Sequence, residues 1–294
     1  MPSSRIFARL NMAFKEAVAH DMVNTAKAAA YSAMLMLFPA LLVATTLLSQ
    51  AQEGNTLMGD LRTMFDQFLP VETMELLQSA VLAHTAHSLP VIVSALALSF
   101  FAGLGVMLSL MEGFRRAYRI AEDEWSFWGR RVRALLLVPI ILIPLSVATL
   151  AIVFGHQIEH WMIEAADHEL RRLVVLFWRF VRWSVALGTT MAVLTMLYHF
   201  GIKRRERWVG VVPGAITGTL IWFPATLAFG WYVTRDANYS RFYGPFAAGV
   251  ATLVWLYITA FSVLLGAEFN GALFRERQRQ DSNRRVHEVI PFRQ

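Results

Sequence analysis

Six stretches of the chain are apolar, contain no Asp, Glu, Lys or Arg, and are long enough to cross a bilayer. They are residues 28–49, 89–111, 134–154, 183–200, 209–233 and 243–267. At about 1.5 Å per residue, a helix over each stretch covers roughly the 30 Å hydrocarbon core. Lipid offers no hydrogen-bond partner to an open strand or an irregular backbone. The pattern therefore predicts an all-α, polytopic membrane protein with a bundle of six transmembrane helices.

The basic residues are concentrated in alternating connections. The N-terminal arm, the second and fourth loops and the tail together hold 20 of the 27 Lys and Arg residues. The other connections hold only Arg62, Arg171, Arg172, Arg179, Arg182, Arg235 and Arg241. Because basic residues near helix ends are retained on the cytoplasmic side, this asymmetry predicts six spans with both termini in the cytoplasm.

The segments outside the spans have helical periodicities of their own. Residues 3–27 match an amphipathic helix on the inner surface, and residues 50–88 match two amphipathic helices at the outer face. We therefore divide the chain into a cytoplasmic amphipathic arm at 1–27, a six-helix membrane domain at 28–274 and a basic cytoplasmic tail at 275–294. The fourth span is placed at 181–200, with Arg182 at its start.

Composition and charge narrow the class of protein further. A hydrophobic content of 56 % in 294 residues leaves no room for a large soluble domain beside six helices. The net charge of +6 comes from residues that border the spans, where anionic headgroups attract them, so membrane lipid is the expected partner and nucleic acid is not. The chain has no cysteine, which excludes disulfides and thiolate metal sites.

Candidate catalytic chemistry is sparse. His156, His160 and Glu164 are spaced by four residues, so they share one helix face and are weak candidates for a metal site. A solvated polar face explains the same spacing. No nucleophile is paired with a base, and no glycine loop is suited to phosphate. We therefore expect neither an enzyme nor a bound cofactor.

Polar residues near the predicted cytoplasmic ends of the spans are more informative. Glu268 follows the last charge-free span by one residue, and it should lie at the depth of a possible ion-pair network. That network comprises Asp21, Lys27, Arg115 and Arg116. A carboxylate at this depth either pairs with arginine for structural reasons or couples protons to a conformational change. Pro39 lies inside the first span. A proline there produces either an ordinary kink or a functional break in the helix.

Several motifs in the chain are specific enough to indicate a family. The C-terminal third carries Val212-Pro213-Gly214-Ala215, Trp222, Trp231-Tyr232, Asn238-Tyr239-Ser240, Tyr243-Gly244, Trp255-Leu256-Tyr257 and Leu265-Gly266-Ala267-Glu268-Phe269-Asn270. The first helix adds a Tyr followed by Leu-Phe-Pro within residues 30–42, and Arg116-Ala117-Tyr118 fits the end of the second. Together these motifs resemble the YihY / virulence factor BrkB family, and the resemblance spans roughly residues 20–275. Two positions depart from the pattern, Ser32 in place of a second Tyr and Met36 in place of a Ser.

The resemblance implies a multi-pass protein of the bacterial inner membrane without a settled activity. Some members have carried the label ribonuclease BN, but no catalytic cluster in this sequence supports it. We expect a transporter or lipid translocase, for a lipid or a small solute. Its substrate or coupling site would comprise Tyr31, Ser32, Pro39, Tyr243, Tyr257, Glu268 and Asn270. The alternative is a membrane scaffold or envelope-associated virulence factor that transports nothing.

Overall fold

The computed structural model describes residues 3–50, 89–121, 126–144, 147, 168–202, 206–235 and 246–289. Seven helices and no strand occur in these residues, which confirms the all-α class for this part of the chain. They are α1 (Ser3–Ala19), α2 (Met22–Gln50), α3 (Leu89–Ala117), α4 (127–144), α5 (His168–Gly201), α6 (Trp208–Arg235) and α7 (Ala247–Val289).

Four segments of these helices are long and apolar enough to cross a membrane. They are Leu89–Ala117, Val174–Gly201, Trp208–Val233 and Ala247–Ser282. These segments coincide with the second, fourth, fifth and sixth predicted spans. The first predicted span lies within α2, and the third is described only as far as residue 144. The amphipathic helices predicted between residues 50 and 88 lie outside the described residues.

The structure divides the helix expected over residues 3–27. α1 ends at Ala19, and Asp21 takes a positive φ of 60° before α2 begins at Met22. Aspartate tolerates this left-handed conformation because its short side chain bonds locally. Here the Asp21 carboxylate accepts a 2.7 Å hydrogen bond from the side-chain amide of Asn24, in the first turn of α2. The turn therefore redirects the chain from α1 into α2.

The best-packed part of the core lies where α2 and α6 begin, where α3 and α5 approach their C-terminal ends, and beside the middle of α7. Met22, Phe114, Tyr198 and Leu264 are all completely buried there. The rings of Phe114 and Tyr198 meet edge to face, with centroids 5.4 Å apart. We call this end of the bundle the basic end, since it carries Arg9, Arg115, Arg116, Arg119, Arg275 and Arg279.

Two glycines let α6 and α7 approach closely. A Cβ atom on Gly266 would lie 2.5 Å from the backbone carbonyl oxygen of Gly214. In turn, a Cβ atom on Gly214 would collide with the backbone carbonyl oxygen of Gly266. Small residues allow this kind of backbone contact between membrane helices. The Tyr198 hydroxyl group reinforces the contact by donating a 2.7 Å hydrogen bond to the Val263 carbonyl oxygen. We call this contact the glycine seam.

Candidate functional site

A buried carboxylate joins α7 to the turn between α1 and α2. Glu268 is completely buried, and its Oε1 atom lies 2.6 Å from Nδ1 of His20. The second oxygen, Oε2, has no hydrogen-bond partner in the described residues. His20 reaches Glu268 because α1 packs closely through Ala13 and Ala17, which are both buried. We call His20 and Glu268 the His–Glu pair.

The 2.6 Å contact requires a proton between the two atoms. A neutral imidazole nitrogen without hydrogen and an ionised carboxylate oxygen are both acceptors, and two acceptors repel each other. Either the carboxyl group of Glu268 donates to Nδ1 or the Nδ1–H of His20 donates to the carboxylate. In either case Oε2 of Glu268 remains a buried acceptor without a donor among the described residues, which costs free energy.

Asn270, two residues further along α7, has a contrasting environment. It is also completely buried, but its side-chain amide donates a 2.8 Å hydrogen bond to the Val211 carbonyl oxygen. Its side-chain oxygen accepts a 2.6 Å hydrogen bond from the backbone N–H of Gly214. Both ends of the side chain are therefore used in holding α6 against α7 beside the glycine seam.

Ion pairs hold α1 against the C-terminal half of α7. Arg9 lies 3.1 Å from Glu276, and Arg275 pairs with Glu16. Arg275 also donates a 2.6 Å hydrogen bond to the Ala117 carbonyl oxygen at the end of α3. This arginine therefore joins three helices about two turns of α7 beyond the His–Glu pair.

The predicted ion-pair residues lie on the neighbouring side of the basic end. Arg116 is 3.5 Å from Asp21, while Arg115 pairs at 2.6 Å with Glu112. Lys27 donates a 3.2 Å hydrogen bond to the side-chain oxygen of Asn24. Glu112 is the centre of this group, since it also accepts hydrogen bonds from Arg116 and Arg130.

The other predicted site residues differ in their exposure. Tyr31 on α2 is exposed, while Ser32 and Pro39 are partly buried. Tyr257 stacks on Phe261, with ring centroids 6.1 Å apart. Glu268, in contrast to Tyr31, is fully buried.

The remaining predicted residues lie outside the described part of the chain. These are Tyr243 and the weak metal candidates His156, His160 and Glu164. Among the residues that the structure does describe, no group of three or more His, Asp or Glu is suited to hold a metal ion.

Sequence reasoning missed His20 and Glu206. His20 lies inside the stretch predicted as one amphipathic helix, and its position next to Asp21 was the only signal for it. Glu206 precedes α6 and accepts a 3.1 Å hydrogen bond from the Tyr118 hydroxyl group. Burial raises the pKa of Glu206, although Tyr118 and Arg277 oppose the shift. Burial also raises the pKa of Tyr118, which therefore remains protonated and acts as the donor.

Comparison with known proteins identifies the family. The family model of the virulence factor BrkB matches residues 13–290. A ribonuclease-like protein of Bacillus subtilis, YfkH, is 24 % identical over 274 residues, which cover 92 % of this chain and 96 % of that protein.

Two further relatives are named as membrane proteins. A UPF0761 membrane protein of Vibrio atlanticus is 24 % identical over 91 % of this chain and 83 % of its own. One of Paraburkholderia xenovorans is 31 % identical over 54 % of this chain and 34 % of its own. No solved structure matches the chain. The family match over nearly the whole sequence, together with four apolar helices of spanning length, shows that the chain is a multi-pass membrane protein of the virulence factor BrkB family.

Proposed function

We propose that this protein is a six-span transporter or lipid translocase of the bacterial inner membrane, with its basic end in the cytoplasm. The distribution of Lys and Arg supports this orientation. Contacts at the basic end support the alternation of spans, because Arg130 at the start of α4 pairs with Glu112 near the end of α3. Likewise Glu206, just before α6, meets Tyr118 just after α3.

The observation that carries the proposal is the half-satisfied carboxylate of Glu268. Ionisable groups are costly within a membrane protein and commonly mark ion or substrate pathways. Glu268 contacts the turn that begins α2, so its protonation state acts directly on the contact between α2 and α7. A group that served only to hold these helices together would be expected to use both of its oxygen atoms, as Asn270 uses both ends of its amide.

We further propose that the His–Glu pair closes the basic end. Met22, Phe114 and Leu264 are completely buried beside it and fill the space between α2, α3 and α7. Opening a path through this region requires the α1–α2 turn to separate from α7. Loss of the shared proton favours separation, because two unprotonated acceptors repel each other.

The test is movement of a defined probe across proteoliposomes. The full chain is reconstituted into vesicles of phosphatidylethanolamine and phosphatidylglycerol that contain a trace of fluorescent phosphatidylglycerol, and loss of inner-leaflet probe is followed with dithionite. A second arm follows osmotic swelling of the same vesicles in glycerol and in sodium phosphate. We expect faster movement than in protein-free vesicles in one arm, with a pH dependence that Glu268→Gln removes.

The matched control is Asp281→Asn, which makes the same carboxylate-to-amide change at an exposed position of α7. This variant should retain both the rate and the pH dependence. If neither arm exceeds protein-free vesicles while the protein stays monodisperse, transport of these substrate classes is contradicted. A pH dependence unchanged in Glu268→Gln would remove the role of the His–Glu pair.

A non-transporting scaffold is the second candidate, and the glycine seam favours it. Close backbone contact between α6 and α7, with Asn270 bonded at both ends, is typical of a rigid structural element. The scaffold predicts no probe movement and no effect of pH. A nuclease, the activity named for the Bacillus relative, predicts RNA cleavage by the purified protein, and we expect none.

A further inference from the structure

A cleft of about 320 Å³ lies between α1 and the C-terminal half of α7. Its apolar lining consists of Met12, Phe269, Ala272 and Leu273. Its charged lining consists of Arg9, Glu16, Arg119, Arg275, Glu276 and Arg279. The cleft thus combines an apolar wall with a charged rim, and it is separate from the His–Glu pair.

Positive charge exceeds negative charge in this rim. Four arginines face two glutamates, and both carboxylates already accept guanidinium groups from within the cleft. Arg279 forms no ion pair among the described residues. An anion entering the cleft therefore meets a guanidinium group without a counter-charge, beside the half-exposed Arg9. Arginine binds phosphate oxygens well because its planar fork donates two hydrogen bonds together.

The position of α1 places the cleft at the membrane surface. Phe14 packs edge to face on Phe261, which lies within the apolar part of α7, and Val18 on the same flank of α1 is exposed. Arg9 and Glu16, on the opposite flank, contact α7 about 20 Å further along its axis, at residues 275–276. α1 therefore has an apolar flank toward the hydrocarbon and a charged flank toward water, as interfacial helices do.

The length of α7 also places the cleft at the membrane surface. Its 43 residues span about 65 Å, twice the thickness of the hydrocarbon core. The turns that carry Arg275 and Arg279 therefore project into the headgroup layer. Phosphodiester groups of phospholipids occupy this layer.

We infer that the cleft between α1 and α7 binds the headgroup of an anionic phospholipid. The phosphate lies against Arg279 and Arg9, and the glycerol and first acyl carbons lie against Met12 and Leu273. A lipid bound there contacts both helices and clamps α1 onto α7. This inference does not depend on transport, because the binding is measured in detergent without any movement across a membrane.

Binding of short-chain lipids to the purified full chain tests the inference. Dihexanoyl phosphatidylglycerol, dihexanoyl phosphatidylcholine, sn-glycerol 3-phosphate and an RNA oligonucleotide are titrated separately below their aggregation limits. We expect the phosphatidylglycerol to bind most tightly. Equal binding of phosphatidylcholine would overturn the role of the positive rim. Equal binding of glycerol phosphate would make the cleft a site for free anions, and preferential RNA binding would replace the lipid with nucleic acid.

Two charge-matched double variants locate the site. Arg9→Gln with Arg279→Gln removes two arginines of the cleft, while Arg131→Gln with Arg277→Gln removes two arginines outside it. At about fivefold in affinity per arginine near an anionic headgroup, the cleft variant should lose more than tenfold, and the control should lose clearly less. Equal losses would show diffuse attraction and overturn the site.

Melting temperatures of both double variants are measured alongside binding. If the cleft variant is unfolded, the single Arg279→Gln substitution replaces it, because Arg279 is exposed and forms no ion pair in the described residues. The expected loss for the single variant is then about fivefold. Unchanged affinity in this variant would overturn the assignment of Arg279.

Discussion

Glu268 and Asn270 lie two residues apart on α7, are equally buried, and differ in how completely their polar atoms are satisfied. Two residues on a helix are separated by about 200°, so the two side chains meet opposite neighbours. Asn270 bonds backbone groups of α6 at both ends, whereas Glu268 meets one ionisable side chain and leaves an oxygen unpaired. The hydrogen bonds of Asn270 involve no titratable group, whereas the contact between His20 and Glu268 needs a proton between two acceptor atoms. One face of α7 is therefore held permanently, and the other depends on a proton.

The largest expected effect comes from widening the glycine seam. Gly266→Val places a Cβ atom 2.5 Å from the Gly214 carbonyl oxygen, a backbone atom that cannot move aside alone. We expect a loss of roughly 3 kcal/mol or more in stability, or no folded protein. Size-exclusion chromatography and thermal unfolding in detergent measure it. Gly188→Val on α5, where a Cβ atom meets nothing within 4 Å, is the control and should behave like wild type.

Asn270 and Glu268 can be compared directly by substitution. Asn270→Leu leaves the Gly214 N–H and the Val211 carbonyl oxygen without their partner, so we expect a loss of about 2–4 kcal/mol. Glu268→Gln keeps the shape, and its side-chain amide can still donate a hydrogen bond to a neutral Nδ1 of His20, so its loss should be below about 1 kcal/mol. Chemical unfolding of both variants in one detergent gives the two values. Equal losses would contradict the division of α7 into a structural and a titratable face.

A smaller effect is expected where α1 meets α7. Arg275→Gln removes the hydrogen bond to Ala117 and the ion pair with Glu16. Because the side chains of Arg275 and Glu16 are only slightly exposed, we expect a loss of about 1–3 kcal/mol in stability. Arg277→Gln removes a more exposed pair with Glu206, 3.5 Å long, and should cost less than about 1 kcal/mol. Proteolysis between α1 and α2, followed by mass spectrometry, distinguishes local release of α1 from global unfolding. A larger loss of stability in Arg277→Gln than in Arg275→Gln would contradict this prediction.

The smallest effect concerns pH. Burial raises the folded-state pKa of Glu206, so this group's contribution to stability is fully present below its unfolded pKa and is lost as pH rises through its folded pKa. Relative to Glu206→Gln, which cannot titrate, wild type should therefore become less stable as pH rises from about 4 toward 7. Melting temperatures of the two proteins across this range test the sign. A difference that grows in favour of wild type would contradict it.

Hydrophobic patterning was enough to predict the helical class and four of the spans, since an apolar stretch of about 20 residues has few alternatives in a membrane. It did not predict the break at His20 and Asp21. The amphipathic periodicity of residues 3–27 continues across that turn, and an aspartate inside a helix is not unusual enough to end it. The left-handed conformation of Asp21 is favoured by the Asn24 contact and by packing of α1 on α7, which periodicity does not encode.

The sequence by itself determined that this chain is an apolar, helical membrane protein, and it singled out Glu268 and Asn270 as polar residues at the end of the last span. Only the tertiary structure decided that the two differ. Hydrogen bonding depends on which groups come within about 3 Å, and the partners lie 248 residues away for Glu268 and 56 for Asn270. Spacing along one helix does not predict such distant neighbours. The His–Glu pair and the cleft beside α1 therefore depend on how α1 packs against α7.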